Sequence, residues 1–347
     1  MMDMAALDLQ QAAPALGRVC DTKPVLSIVG LGSVGAVSTA CFASLGHRVV
    51  AADIDRTKCE QVARGDSPLD DEDVNDLLSE GVANGLISTT DDVAFAVRAT
   101  DVTFVTVGAP TTADGGCDYR SIQAAARSIG VGIAQKGGFH VVVMRCRAPH
   151  GPAVNVLART IEKISAKKLG LDFGIAFSPV FFCESMVVAD FFEPPKTVFG
   201  ATDVRTARFV ARIFEPVDND IVTTSIETAE MIQNLDDVWQ AAKACVAHEM
   251  GRLCEPLGVN RQQILDSFAQ DAKLEPNLIE TGTVSEASNL SKKVSMLARV
   301  GEQFGITTPM IRALAQRSGR DEQAGLRHSD ARLAKAFRPL RLPSKTD

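Results

Sequence analysis

Two kinds of apolar pattern alternate along the first two thirds of the chain. Short runs rich in β-branched residues, Leu26–Val29, Val49–Ala52, Asp101–Val107 and His140–Met144, read as strands buried on both faces. Between them, 57–64 (polar), 72–86 and 121–135 read as helices. Further short strands are expected at Ile175–Phe177 and Thr197–Phe199, and another at 220–223. Strands alternating with helices predict an α/β domain over residues 24–222, built on a doubly wound, mostly parallel sheet.

From Ser225 to Leu257 the period changes. Met231, Ile232, Leu235, Val238, Trp239, Ala242, Cys245, Val246, Met250, Leu253 and Leu257 recur at three- and four-residue steps. At about 1.5 Å per residue, one helix of this length reaches well past a sheet, so it either links two domains or forms a dimer axis. Helices are expected again over 261–270, 288–304 and 309–317, broken by Gly258 and Gly305, which makes 223–320 an all-α domain. Residues 1–23 read as a flexible leader, with an acid where a signal peptide carries basic residues. The tail, 321–347, is basic; a solvated helix with a frayed end is the plain reading and a nucleic-acid arm the alternative.

One stretch carries specific chemistry. Leu26–Val29 runs into Gly30-Leu31-Gly32-Ser33-Val34-Gly35, a small-residue helix follows, and the next strand ends on Asp53. This is the strand, glycine turn, helix, strand and acid of a Rossmann dinucleotide site, with the acid about 20 residues on. Gly30 serves the tight turn, Gly32 the approach of a pyrophosphate, and Gly35 the packing of helix on strand. Asp53 would accept from an adenosine ribose and repel a 2′-phosphate, which favours NAD; Arg56 and Lys58 beyond it pull the other way or are simply solvated. The other strand ends facing such a cofactor are the Gly108-Ala109-Pro110 loop, the segment 145–151, and Ser178-Pro179-Val180.

Composition narrows the field. A net charge of −7 argues against a general nucleic-acid binder. The eight cysteines have no CxxC or metal-type spacing and the five histidines no ligand spacing, so reduced core thiols and no metal are expected. No apolar run is long enough to span a membrane, and a cytoplasmic protein is expected.

Several stretches together, VGLGSVGAV, GHRVVAADIDRTK, TVGAPTTADGGCD, FSPVFFCES, EPPKTVFGA, TAEMIQNLDDVWQAAKACVAHEMG and QDAKL, resemble the UDP-glucose/GDP-mannose 6-dehydrogenase family, most closely its GDP-mannose branch. The resemblance implies an NAD-binding Rossmann domain, then a long helix and an all-α dimerisation domain; the family's third domain, for the nucleotide end of the substrate, is expected to be absent. It implies Lys58 as a further cofactor residue. It also implies oxidation of a primary alcohol to a carboxylate by two hydride transfers, through a cysteine thioester. The positions that carry this chemistry differ here. Asn289 stands at the cysteine of the family's GGSCLPKD motif and Lys293 at its aspartate; Gln233 and Asp237 replace the helix lysine and asparagine. Val180 replaces a glutamate, Arg147 a threonine, and Ala109 the threonine of a strand-end loop. The family's reaction is therefore expected to be lost.

Three readings follow. In the first, the chain is an NAD-dependent redox enzyme for a smaller, anionic substrate. Asp236 or Asp237 would be its general base, Arg147 a carboxylate or phosphate clamp, and Lys292 or Lys293 an acid. The cofactor set would be Gly30, Leu31, Gly32, Val34, Gly35, Asp53, Lys58, Gly108 and Ala109. In the second, it is an inactive NAD-binding regulator or the partner of an active paralogue, with Arg147 and Asp237 pairing to fill an unused site. In the third, it is a scaffold. A homodimer through the 225–257 helix is expected, with a small-molecule substrate, no nucleic acid and no membrane.

Overall fold

The structure, a computed structural model, describes residues 23–69, 71–110, 112, 117–146, 152–181, 187–218, 220–260, 262–264 and 284–324. Contacts divide the chain into a first unit up to Gln233 and a second from Asn234 onward.

The first unit is one eight-stranded sheet. Its strands are β1 (Leu26–Val29), β2 (Val49–Ala52), β3 (Ile87–Thr90), β4 (Val102–Val105), β5 (His140–Met144), β6 (Phe173–Phe177), β7 (Thr197–Ala201) and β8 (Ile221–Thr224), in the order β3-β2-β1-β4-β5-β6-β7-β8. β1 to β6 are parallel; β7 turns antiparallel to β6, and β8 runs with β7. The order reverses between β1 and β4, the switch point at which such sheets open a crevice. Val29 is in register with Ala52 on one side and Val105 on the other, so β2, β1 and β4 end level there.

The helices are α1 (Ser33–Ser44), α2 (Arg56–Ala63), α3 (Glu72–Ala83), α4 (Val93–Arg98), α5 (Arg120–Ala134), α6 (Pro152–Ser165), α7 (Ala189–Phe192), α8 (Val204–Phe214) and α9 (Ile226–Leu257). One face of the sheet buries an aromatic core in which Phe42 meets Phe104 at 4.8 Å and Phe199 meets Phe214 at 4.8 Å. The other packs Val29, Val105, Ile122, Ile129, Val142 and Phe177 against each other, together with Ala229 from the first turn of α9.

The elements missed by apolar patterning have local causes. β3 reads Ile-Ser-Thr-Thr because it is an edge strand whose last three residues are not fully buried. α8 interleaves three arginines with its buried Thr206, Ala207, Val210, Ile213 and Phe214, and starts where Asp203 Oδ1 accepts from Thr206 N at 2.9 Å. The helix expected to run to 86 ends at Ala83, because Gly85 turns to φ +67.

At the amino ends of the strands lies a closed polar network. Ser27 Oγ and Thr103 Oγ1 are 2.7 Å apart, Thr103 Oγ1 meets His140 Nε2 at 2.8 Å, and His140 Nδ1 meets Lys136 Nζ at 3.0 Å. Burial, reinforced by the Lys136 charge, pushes the His140 imidazole down to about 3, so it is neutral.

The second unit comprises α9 from Asn234 on, with α10 (Val284–Gln303) and α11 (Pro309–Ala324), which pack on each other. Gly305 at φ +68 makes the turn between them, and Arg312 pairs with Glu302 at 2.9 Å. Along α9, Leu235, Trp239, Val246, Leu253 and Leu257 are all more than half exposed. Most of the expected 261–270 helix, the leader and the tail beyond 324 lie outside the described residues. No described helix is long and apolar enough to cross a membrane, and the described residues hold no cluster of potential metal ligands.

Candidate functional site

The glycine turn sits at the switch point, and its three glycines are there for three different reasons. Gly30 adopts φ +103, a left-handed conformation, and a Cβ on it would lie 2.9 Å from Val107 Cγ1. A Cβ on Gly35 would stand 1.8 Å from Gly30 O, so α1 can rest against the turn only without a side chain there. Around Gly32 nothing lies within 4 Å of a built Cβ. Gly32 is also the N-cap of α1, and no side chain caps that helix. With Gly32 and Ser33 exposed, the first amides of α1 face open space, where their partial positive charge suits an anion. Leu31 is fully buried and Val34 half-buried, which holds the turn against the core.

Asp53 closes β2 beside this turn. Its Oδ2 accepts from Leu31 N at 2.6 Å and its Oδ1 from Asp55 N at 2.9 Å, so the carboxylate is fixed in place. Lys58 Nζ stands 4.0 Å from Asp53 Oδ2, bringing the expected cofactor lysine to the acid. Arg56 instead pairs with Glu60 at 3.5 Å on the surface, its solvated reading. A dinucleotide fits these residues: an open cradle at Gly32, uncapped amides behind it, and a fixed acid at the neighbouring strand end.

Along the same edge, Gly108 is open and Ala109 is half-buried, its carbonyl 3.9 Å from Cys117 Sγ. Thr106, which the sequence did not single out, donates from Oγ1 to Gly30 O at 2.6 Å and approaches Val29 O at 3.0 Å. Inside a strand such as DVTFVTV, a threonine gives no signal of that role.

Toward α9 the edge changes character. Cys146 is buried after β5, and burial pushes its thiol up to about 12. The half-buried Cys117 thiol is also raised by burial, and burial pushes the Tyr119 phenol up to about 12. Glu230 and Gln233, one turn apart on α9, are 2% and 3% exposed. Among the described residues neither polar atom of the Gln233 amide has a hydrogen-bond partner. The sequence does not single out Glu230, which lies outside the apolar stripe of α9 that begins at Met231, and places Cys146 only within the segment 145–151. Val180 is buried, and Asp236 and Asp237 are each half-buried on α9. Arg147 lies outside the described residues, as do the side chains of Asn289, Lys292 and Lys293 on α10.

Arg145, next to the expected clamp, is enclosed on the aromatic face. Its Nη1 donates to Ser178 Oγ at 2.7 Å, and its guanidinium lies 5.6 Å and 5.3 Å from the ring centres of Phe191 and Phe214. Burial lowers it to about 10, still far above neutrality, so it stays charged. The cavity beside it, about 30 Å³ and lined also by Lys196 and Asp190, has room for a water rather than a substrate.

The chain is similar throughout both units to known dehydrogenases. Residues 25–218 match the NAD binding domain of the UDP-glucose/GDP-mannose dehydrogenase family, and residues 227–318 its central domain. GDP-mannose 6-dehydrogenase of Pseudomonas aeruginosa is 35% identical over 300 residues, which cover 86% of this chain and 69% of that protein. Among solved structures, a UDP-glucose dehydrogenase from Pyrobaculum islandicum superposes with a TM-score of 0.79 at 29% identity, covering 90% of this chain and 73% of that one. GDP-mannose dehydrogenase from Pseudomonas aeruginosa, in a ternary complex, gives 0.70 at 34% identity, covering 86% and 69%. The chain spans about two thirds of the length of the curated relatives it matches, 69% and 66% for the first two. With a glycine turn formed for a dinucleotide and both domain profiles matched in order, the chain belongs to the UDP-glucose/GDP-mannose dehydrogenase family and carries its NAD-binding domain.

Proposed function

We propose that this protein is an NAD-dependent oxidoreductase for a CH–OH donor smaller than a sugar nucleotide, and not a UDP-glucose or GDP-mannose 6-dehydrogenase. The observation that carries the reading is the contrast at one sheet edge between a preformed dinucleotide turn and a neutral, enclosed Gln233. When bound, NAD supplies the hydride acceptor. Gly32 and the first amides of α1 would hold the pyrophosphate, Asp53 and Lys58 the adenosine ribose, and Gly108 and Ala109 would border the cofactor.

Thioester chemistry needs a thiolate. Asn289 has no thiol, and the thiols of Cys117 and Cys146 are held protonated by burial. Gln233 supplies no charge to a developing oxyanion. Oxidation would then stop after one hydride transfer, at the carbonyl. From the sequence alone, Arg147 is the candidate clamp for an anionic substrate group, Asp236 or Asp237 the candidate base and Lys292 or Lys293 the candidate acid.

A second reading, an inactive NAD-binding regulator or partner of an active paralogue, is favoured by the enclosure of Gln233 without a hydrogen-bond partner among the described residues, as in a site closed over itself. We also propose a homodimer through α9, whose exposed stripe of Leu235, Trp239, Val246, Leu253 and Leu257 is unusually apolar for a free surface. Leu253→Glu should then lower the sedimentation mass from dimer to monomer; an unchanged mass rejects that interface.

The function is tested by following NADH formation from NAD⁺ with GDP-mannose, UDP-glucose, and a panel of small hydroxy acids and sugar phosphates. No NADH from the two sugar nucleotides and steady NADH from one small anionic alcohol is the expected result. Turnover of GDP-mannose would overturn it. NAD binding with no turnover of any substrate would leave the second reading.

A further inference from the structure

The structure assigns Thr106 as a positioning residue for the dinucleotide turn: with Asp53 it clamps a single peptide group, Gly30–Leu31, from opposite sides. This rests on the reading of that turn as the pyrophosphate site.

A peptide group presents its carbonyl and its N–H in opposite directions. In this one the carbonyl of Gly30 faces β4 and takes the Thr106 hydroxyl at 2.6 Å, while the amide of Leu31 faces β2 and gives its proton to Asp53 Oδ2 at 2.6 Å. Both partners are nearly enclosed, Thr106 and Asp53 each being 8% exposed. Thr106 has one hydroxyl proton and two carbonyls in reach, and the closer is that of Gly30 rather than Val29 at 3.0 Å. The backbone of Thr106 is itself tied to β1, its N donating to Val29 O at 2.9 Å. The hydroxyl thus reaches from a fixed strand end to the first residue of the turn.

The clamp sets the plane of the peptide that begins the turn, and so the direction in which the following amides emerge. It also meets the helix: a Cβ on Gly35 would lie 1.8 Å from the same Gly30 carbonyl and 2.9 Å from Thr106 Oγ1. Strand end, turn and helix therefore share one contact point, and none can shift alone. Asp53 acts twice in this arrangement, on the ribose directly and on the phosphate through the peptide it holds. Thr106 acts only through the peptide, so its removal should weaken the grip on the pyrophosphate and leave the adenosine contacts untouched.

The test is calorimetric titration of NAD⁺, ADP-ribose and adenosine into the parent protein, Thr106→Val and Thr106→Ser, with melting temperatures as a folding control. Thr106→Val keeps the shape and removes the hydroxyl; it should weaken NAD⁺ and ADP-ribose by about tenfold and adenosine hardly at all. Thr106→Ser should restore binding to within about twofold, since one hydrogen bond is what differs. Parent-like ADP-ribose binding by Thr106→Val, equal weakening in the serine variant, or equal weakening of adenosine would each overturn the assignment. Absence of any ADP-ribose binding by the parent would remove the cofactor-site reading itself, and this assignment with it.

Discussion

The glycine turn and the start of α9 belong to the same folded unit and differ in how their polar groups are matched. At the turn, the Gly30 carbonyl, the Leu31 amide and both oxygens of Asp53 have partners within 3 Å. On α9, the Gln233 amide is buried with no partner among the described residues. Matched groups arranged around an open cradle describe a preorganised binding site. Leaving a buried amide unpaired costs about 1–3 kcal/mol. Polar groups are matched at the dinucleotide turn and unmatched at Gln233 among the described residues.

The largest effect should come from breaking the turn. Gly35→Ala would drive its methyl into Gly30 O, and is expected to destabilise the first unit by about 3 kcal/mol or more and abolish NAD binding. Gly32→Ala, three residues away, meets only open space; it should change stability by about 1 kcal/mol or less yet still weaken NAD severely. Urea unfolding alongside NAD titration separates the two, and equal loss of stability in both would contradict the roles assigned to these glycines.

A second variant sharpens the α9 side. Gln233→Leu removes an unpaired amide while keeping its bulk, and should raise apo stability by about 1 kcal/mol. A fall in stability would mean that the amide is satisfied in solution, and would restore a polar site at α9.

The amino ends of the strands supply a control, because their polar network is closed. His140 is held neutral, from its ordinary 6.5 down to about 3. Between those values the unfolded chain binds a proton that the folded one does not, so His140 contributes stability that is full above pH 6.5 and lost as pH falls toward 3. Its share is at most about 1.4 kcal/mol per pH unit. The slope of urea stability between pH 6 and pH 4.5 should be shallower in His140→Asn by about that amount; parallel slopes would rule out the neutral imidazole.

The sequence reveals the two sides unequally. Rossmann spacing requires glycines and an acid at set distances, so Gly30, Gly32, Gly35 and Asp53 are visible as residues, and the structure gives each a distinct physical task. The buried strands β1, β2, β4 and β5 are equally visible, being apolar on both faces. Edge strand β3 and helix α8 are hidden, because one is polar and the other interleaves arginines among the residues it buries. Thr106 is hidden for another reason. A threonine is an ordinary strand residue, and only the three-dimensional path of the turn brings the Gly30 carbonyl to its hydroxyl. On α9 the apolar stripe does not mark burial: Leu235, Trp239 and Val246 are more than half exposed, while Glu230 and Gln233, outside that stripe, are 2% and 3% exposed.

The NAD site at the turn is tested most directly by calorimetric titration of NAD⁺ into the parent and into Asp53→Ala. Micromolar binding by the parent is expected, weakened at least tenfold in the variant, which loses both the ribose acceptor and the Leu31 amide partner. Absence of binding by the parent, or equal binding by both proteins, would contradict it.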